Sequence, residues 1–164
     1  MGIFEVRAWF RAHGIPEEIR EFSVSSATVE LAAEALGVAP QLIAKTLSFE
    51  TADSAMLLLA AGDARVDNRK FRETFGFKAK MLSPEDALRL TGHAVGGVCP
   101  FALSEPLPVY LDSSLLRFPT VYPAAGSPSS CVVITPERLR EITGGVYVDV
   151  CKLPAEQGNG EQSE

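Results

Sequence analysis

Residues 45–61, KTLSFETADSAMLLLAA, decide the fold of this chain. Residues 45–49 and 55–61 are apolar runs with the length of strands, and an Ala-Asp-Ser turn at residues 52–54 separates them. The segment therefore predicts two strands joined by a tight turn. The second run is the longest purely apolar one in the chain, and its seven residues are far fewer than the roughly 20 that span a bilayer.

Helix signals flank this pair of strands. A first helix is predicted to close near Gly14, and a second one is predicted to end at Gly37 behind a cap at residues 25–26. Pro40 suits the first turn of a short helix that reaches residue 44. Three more helices are predicted from a capping residue followed by a periodic segment, with the caps at Asp67, Ser83 and Thr135.

The remaining apolar segments complete the expected architecture. Further strands are predicted at residues 19–24, 107–111, 120–122, 131–134 and 146–150. Helices and strands in this order predict a mixed sheet in a single α/β or α+β domain, which we expect to span residues 1–154. Residues 155–164, AEQGNGEQSE, hold three acidic and no large apolar side chains, so they predict a disordered acidic tail.

The composition is that of a soluble globular protein. Hydrophobic residues make up 46% of the 164 residues, and the formal net charge is −6. With no visible signal peptide, we expect a cytoplasmic protein that does not bind membranes, and the acidic balance argues against broad, high-affinity binding of nucleic acid. Three cysteines without CxxC spacing and two histidines predict neither a disulfide framework nor a metal site. The common nucleotide, dinucleotide and metal-hydrolase motifs are absent, so no cofactor is expected.

Lys45 is the first candidate for a functional residue. It stands between an apolar helical turn and an apolar strand, where the stem can be buried while the ammonium points into a cleft and meets a phosphate. A lone lysine is more often a surface residue whose stem lies against apolar neighbours. Its position alone leaves both interpretations open.

Two loops rich in small residues are further candidates. The backbone N–H groups of the first could hold an oxyanion, and this loop contains Gly96, Gly97, Val98, Cys99 and Pro100. The second could line a substrate pocket, and it contains Ala125, Gly126, Ser127, Ser129 and Ser130. Both compositions are also typical of ordinary structural turns.

His93 and Cys99 together suggest a thiol hydrolase. A cysteine nucleophile needs a base within hydrogen-bond reach, and a cysteine beside a proline is more often a small buried hydrophobe.

Residues 65–80 hold six basic and two acidic side chains. This cluster is either a solvated helix face or a phosphate-contacting surface, and its candidate contacts are Arg65, Arg69 and Lys70.

Seven motifs recur in a fixed order along the chain: LAAEALGV (31–38), IAKTLSF (43–49), LLLAAGDARVDNRKF (57–71), TGHAVGGVCPF (91–101), LPVYLD (107–112), TVYPAAGS (120–127) and VVITPERL (132–139). In this order they resemble the YbaK/EbsC family, which includes the editing domain inserted in bacterial prolyl-tRNA synthetases. The resemblance covers the chain except for the first helix and the tail. It implies a compact α/β domain whose mixed, partly barrel-like sheet is flanked by short helices.

The resemblance also implies an activity and a set of site residues. The activity is metal-independent hydrolysis, in trans, of the ester bond in mischarged aminoacyl-tRNA carrying a small amino acid such as alanine, serine, threonine or cysteine. Lys45 falls on the lysine that would anchor the tRNA acceptor end, and residues 96–100 fall on the loop that would hold the aminoacyl carbonyl. The family's late glycine-containing loop falls on Ala125, Gly126 and Ser127. We expect these three residues, together with His93, Ser129 and Ser130, to bind the substrate.

One departure from the family pattern leaves the substrate open. Many members carry a glycine- and charge-rich stretch where this chain has residues 127–131, SPSSC, so specificity for cysteinyl-tRNA is not carried over. The alternative to a deacylase is a non-catalytic module of the same fold that binds the tRNA end or docks on an aminoacyl-tRNA synthetase. The sequence does not indicate an oligomeric state.

Overall fold

The computed structural model describes residues 2–24 and 28–154. In chain order the elements are α1 (Ile3–Ala12), β1 (Ile19–Glu21), α2 (Val29–Leu36), β2 (Ile43–Glu50), β3 (Ala55–Ala61), β4 (Arg65–Val66), α3 (Asn68–Phe75), α4 (Pro84–Thr91), β5 (Val109–Asp112), β6 (Tyr122–Pro123), β7 (Ser130–Val132), α5 (Pro136–Thr143), β8 (Val146–Val148) and β9 (Cys151–Lys152). Two short 3-10 helices, Pro40–Leu42 and Ser113–Arg117, stand before β2 and after β5.

The central sheet has five strands in the order β6-β2-β3-β5-β8. β2 and β3 are antiparallel, whereas the other three pairs, β2 with β6, β3 with β5 and β5 with β8, are parallel. A bridge between Ala124 and Cys131 links the end of β6 to β7, and β7 pairs with β1 in a separate antiparallel ladder. The mixed sheet with flanking helices confirms the predicted fold class.

The core is built around β3. All seven of its residues are buried, because side chains alternate between the two faces of a strand and both faces are covered here. On one face Phe49 of β2 packs edge-on against Phe71 of α3, with ring centroids 5.0 Å apart. On the other face Ala55 lies in a small apolar cluster with Leu82 and Ala87.

Local signals predicted most of the helices. The side chains of Asp67, Ser83 and Thr135 cap α3, α4 and α5 by accepting hydrogen bonds from backbone N–H groups, as expected. For α2 the capping side chain is Thr28, while the predicted cap at residues 25–26 lies outside the described residues. The predicted acidic tail, residues 155–164, also lies outside them.

Several predicted boundaries change where distant partners decide the structure. The short helix expected up to residue 44 is a 3-10 turn that stops at Leu42, because Ile43 and Ala44 pair with β6 and so join β2. The first predicted strand is shorter, Ile19–Glu21, since its length is set by three pairings with β7. None of the helices within residues 2–24 and 28–154 combines the length and apolar character needed to cross a bilayer.

β2 is unevenly paired along its two edges. Along one edge it pairs with β3 from Ala44 to Glu50. Along the opposite edge it pairs with β6 at its start, and further on the carbonyl of Ser48 accepts a hydrogen bond of 3.0 Å from the N–H of Leu82. Between these contacts residues 45–47 have no strand partner on this edge in the part of the chain that the structure describes. We refer to residues 45–47 as the β2 gap.

Candidate functional site

A cavity of about 410 Å³ opens at the β2 gap. Its floor is β2, and its walls come from α2, from the start of α4, from the loop before Pro100 and from the β6 and β7 strands. Most of its surface is apolar. The lining residues are Thr28, Val29, Ala32, Ile43, Ala44, Lys45, Thr46, Leu47, Ser48, Met81, Leu82, Pro84, Ala87, Val95, Gly96, Val98, Tyr122, Ala124, Ser130 and Cys131.

Among the described residues that line the cavity, Lys45 is the one with a formal charge at neutral pH. Its ammonium group donates a hydrogen bond of 2.5 Å to the carbonyl of Ala64. Burial is the main cause that lowers the pKa of Lys45, while the more distant carboxylates of Asp63 and Glu30 act in the opposite direction. Asp63 is itself held by the guanidinium of Arg117, at 2.6 Å for the shorter of two contacts. Lys45 is therefore a partly desolvated cation with a neutral partner, which suits it to binding an anion.

The loop from Gly96 to Pro100 approaches the cavity with its backbone. Gly97 donates its N–H to the carbonyl of Ala94 at 2.9 Å, which closes a tight turn. The N–H groups of Gly96, Val98 and Cys99 have no hydrogen-bond acceptor among the described residues. Gly96 and Val98 line the cavity, so unpaired N–H donors stand at its wall.

The two candidate loops pack against each other. A Cβ placed on Gly97 would lie 2.6 Å from the backbone of Ser127, and one on Gly126 would lie 2.5 Å from the carbonyl carbon of Gly2. Gly126 also has a φ of 96°, which disfavours any residue with a side chain. Contact at this range requires glycine, so the small residues of both loops allow close backbone packing beside the cavity.

The serines of the second loop are bonded mainly to one another. The hydroxyl groups of Ser127 and Ser130 are 2.9 Å apart, and the N–H of Ser129 donates to the Ser127 hydroxyl. Of the predicted substrate-binding residues, the cavity reaches Ser130 and not Ala125, Gly126, Ser127 or Ser129. These four positions shape the loop behind the cavity wall.

His93 and Cys99 lie in the core and not at the cavity. The His93 ring is buried and its Nε2 is 2.7 Å from the carbonyl of Phe101. Cys99 has no exposed surface, and burial raises the pKa of its thiol to about 12. A thiol in this state stays protonated at neutral pH, which argues against a thiolate nucleophile. Pro100 is also buried and lines a second, shallower depression with Trp9.

The three basic candidates differ in availability. Arg65 is exposed and close enough to Lys45 for its charge to lower the Lys45 pKa. Arg69 is largely exposed, with a 3.7 Å ion pair to Glu73. Lys70 is bonded to Asp149 at 3.2 Å and to the carbonyl of Cys151 at 3.0 Å. Arg65 is thus the cation of this cluster that stands beside the predicted anchor.

Sequence reasoning missed part of the site. Thr46 lines the cavity, and its buried hydroxyl has no hydrogen-bond partner within the described residues. Met81 and Val95, both exposed, also line the cavity. Thr46 adjoins Lys45 and Val95 adjoins Gly96, but their own residue types do not mark a site, and only tertiary packing brings residues 46, 81 and 95 together. No cluster of three or more His, Cys, Asp or Glu side chains suited to a metal occurs in residues 2–24 and 28–154.

Known proteins share sequence similarity with this chain. The chain matches the aminoacyl-tRNA editing domain over residues 24–142. It is 51% identical over 154 residues to the uncharacterized protein YwhH of Bacillus subtilis (strain 168), covering 93% of this chain and 98% of YwhH.

Two solved structures have the same fold. The crystal structure of a protein proposed to be a trans-editing enzyme for prolyl-tRNA synthetase is 33% identical, with a TM-score of 0.86 over 92% of this chain and 97% of that one. The hypothetical protein APE2540 is 30% identical, with a TM-score of 0.82 over 90% of this chain and 99% of that one. Taken with the sequence match over most of its length, these likenesses show that the chain belongs to the aminoacyl-tRNA editing domain family.

Proposed function

We propose that this chain is a trans-acting deacylase that hydrolyses the ester bond of tRNA mischarged with a small amino acid. The observation that carries the proposal is the apolar cavity at the β2 gap, where Lys45 and the unpaired N–H groups of the Gly96 loop meet. A cation and backbone donors beside an apolar pocket are the groups needed to hold a phosphate, an ester carbonyl and a small side chain.

The cavity size supports a small aminoacyl group. About 410 Å³ lies at the low end of the range of ligand pockets, roughly 300–1,000 Å³, and must also admit part of the terminal adenosine. A synthetase pocket discriminates against a substrate that differs by one methylene only by roughly 10–200-fold. A second pocket that selects by size supplies the missing discrimination, and alanine, serine, threonine and cysteine are the substrates we propose.

The proposed chemistry needs no protein nucleophile. Among the described residues that line the cavity there is no Asp, Glu or His, so in this proposal the ribose hydroxyl next to the ester positions the attacking water. Water adds to the ester carbonyl, and the oxyanion that forms accepts from the N–H groups of Gly96 and Val98. Collapse breaks the bond to the ribose oxygen, which takes the proton, and the free amino acid leaves.

Lys45 has the role of anchor in this proposal. Its ammonium would exchange the Ala64 carbonyl for a phosphate oxygen of the tRNA end, with Arg65 alongside. A charge-assisted bond of this kind contributes about 1.5–3 kcal/mol, so Lys45→Ala is expected to lower kcat/KM by roughly 10- to 100-fold. Association with prolyl-tRNA synthetase, which a solved relative suggests, is part of the same proposal.

The decisive experiment is deacylation of a panel of mischarged tRNAs by the wild type, by Lys45→Ala and by Arg140→Ala. Arg140 is exposed on α5 and lines no part of the cavity, so its replacement controls for the loss of one positive charge. We expect many turnovers per wild-type molecule and loss only in Lys45→Ala. Ester loss below one equivalent of protein would favour the non-catalytic binding module, and equal activity of all three proteins would overturn the role of Lys45.

A further inference from the structure

The β2 gap exposes the main chain of Thr46 at the floor of the cavity. Residues two apart on a strand direct their N–H and C=O groups to the same edge. The carbonyl of Ser48 faces the edge away from β3, since it accepts from Leu82. Thr46 stands two residues earlier, so its N–H and C=O face the same edge, where no strand pairs with them among the described residues.

The Thr46 side chain adds a second unsatisfied group at the same point. Its hydroxyl is buried and has no hydrogen-bond partner in the described part of the chain. Buried polar groups in native proteins are nearly always paired, because an unpaired hydroxyl has lost its hydrogen bonds to water without replacing them. Thr46 therefore brings an unpaired carbonyl and an unpaired hydroxyl to one cavity wall, which is the pattern of a site that a ligand completes.

We propose that Thr46 binds the α-amino group of the aminoacyl ester at the open edge of β2. The inference rests on the proposed function and names a specificity residue for it. The amino group donates N–H to the Thr46 carbonyl and to its hydroxyl. The ester carbonyl, two bonds further along the substrate, is left facing the N–H groups of the Gly96 loop.

The charges around the β2 gap indicate that neutral oxygen atoms accept the hydrogen bonds of the substrate's α-amino group. No acidic residue lines the cavity in the described part of the chain, so the amino group has no carboxylate there to pair with. The Lys45 side chain leaves β2 on the opposite face from that of Thr46, because side chains alternate along a strand, and its ammonium is held at Ala64. Carbonyl and hydroxyl oxygens are thus the acceptors in reach, and they accept from an amine in either protonation state.

The test is Thr46→Val, which removes the hydroxyl and keeps the shape of the side chain. It is assayed on alanyl-tRNA and on propionyl-tRNA, which lacks only the amino group. We expect roughly tenfold slower deacylation of alanyl-tRNA, unchanged deacylation of propionyl-tRNA, and a Tm no lower than that of the wild type because an unpaired buried hydroxyl is lost. Thr74→Val removes an exposed hydroxyl on α3 and should change none of the three values.

The outcomes separate this inference from the proposed function. Equal loss on both substrates, no loss on either, or a lowered Tm would overturn the role of Thr46 while leaving the deacylase intact. If no ester is hydrolysed, the deacylase fails, and binding of the stable alanyl amide of 3′-amino-3′-deoxyadenosine decides the subsite. Tighter binding of this amide than of its propionyl counterpart, with the difference lost in Thr46→Val, would support it, and equal binding would refute it.

Discussion

His93 holds together the ends of the loop that carries the unpaired N–H groups. The Phe101 carbonyl can only accept, so Nε2 must be the protonated ring nitrogen in the 2.7 Å contact between them. Nδ1 then carries a lone pair, and it has no hydrogen-bond partner among the described residues. A neutral ring is thus built into the core on one side of residues 94–100. Because His93 is buried and is not among the residues that line the cavity, we propose that it positions this loop and does not touch the substrate.

Protonation of His93 should therefore destabilise the fold. Burial lowers the pKa of His93, and the hydrogen bond to the Phe101 carbonyl and the carboxylate of Glu5 only partly offset this effect. The unfolded chain takes up a proton near pH 6.5 while the native one does not, so stability is full above that pH and falls as the pH drops below it. The slope that one such group contributes is at most about 1.4 kcal/mol per pH unit.

Urea unfolding of the wild type and His93→Gln between pH 7.5 and 5.5 measures this effect. Glutamine keeps an N–H donor for Phe101 without titrating in this range, so we expect a flatter pH dependence in the variant. His13→Gln, which makes the same replacement at the exposed histidine of the chain, is the matched control, and the slope of His93→Gln is compared with it. The same slope in the wild type and His93→Gln would contradict the assignment.

At the scale of elements, α1 supports the site from outside the region that defines the family. The family match begins at residue 24, yet the backbone of Gly2, the residue that precedes α1, packs against Gly126. Gly126 adjoins Ser127, and Ser127 in turn packs against Gly97. One packed stack beside the cavity is thus formed by the start of α1, the Gly126 loop and the Gly97 loop. A change in the contact between Gly2 and Gly126 should therefore alter the contact between Ser127 and Gly97.

Gly126→Ala tests this stack, with Gly144→Ala as the matched control. Both glycines have positive φ, but a Cβ on Gly144 would meet nothing within 4 Å, while one on Gly126 would meet the backbone of Gly2 at 2.5 Å. We expect Gly144→Ala to cost about 1 kcal/mol from φ strain alone and leave deacylation unchanged. Gly126→Ala should cost about 1–3 kcal/mol more and lower kcat. Equal effects of the two changes on unfolding and on kcat would show that the stack does not support the site.

The elements that the sequence predicts are those with local causes. Asp67, Ser83 and Thr135 cap helices whatever the rest of the chain does, because the cap bonds to an N–H three residues away. The two-residue strands β4 and β9 were not predicted, since neither has a pattern of its own and each exists only by pairing with the other. Elements of this kind depend on contacts that no window of sequence contains.

The same distinction holds for the site. Residue type and position make Lys45 and the Gly96 loop candidates, and the family resemblance selects them. The structure brings Lys45, Gly96 and Val98 to one cavity. Thr46 could not be selected, because its significance lies in the absence of a strand partner along residues 45–47. A missing strand partner is a property of the whole sheet. It becomes visible only when β6 is seen to pair with β2 before residues 45–47 and Leu82 is seen to bond to β2 after them.

At the scale of the whole molecule, the distribution of charge limits how tRNA can be held. The net charge is −6, so a broad surface that attracts nucleic acid is not available. The cations near the cavity are few, since Lys45 and Arg65 are neighbours while Lys70 is engaged with Asp149 and Cys151. The proposed enzyme therefore contacts only the acceptor end of the tRNA, which also suits rapid release of the tRNA.

The salt dependence of tRNA binding tests this small footprint. Each phosphate contact to a single strand contributes a slope of about −0.7 in the plot of log K against log salt concentration, so two contacts predict a total near −1.4. Arg65→Ala should reduce the slope by about one contact, and Arg140→Ala, on the exposed face of α5, should leave it unchanged. Binding of a mischarged tRNA to Lys45→Ala is also measured between 50 and 300 mM salt. The slope of log K against log salt concentration should fall by the same amount in Lys45→Ala as in Arg65→Ala. A wild-type slope steeper than about −4 would require six or more phosphates and would contradict a contact confined to the acceptor end, because the cavity rim offers too few cations to meet them.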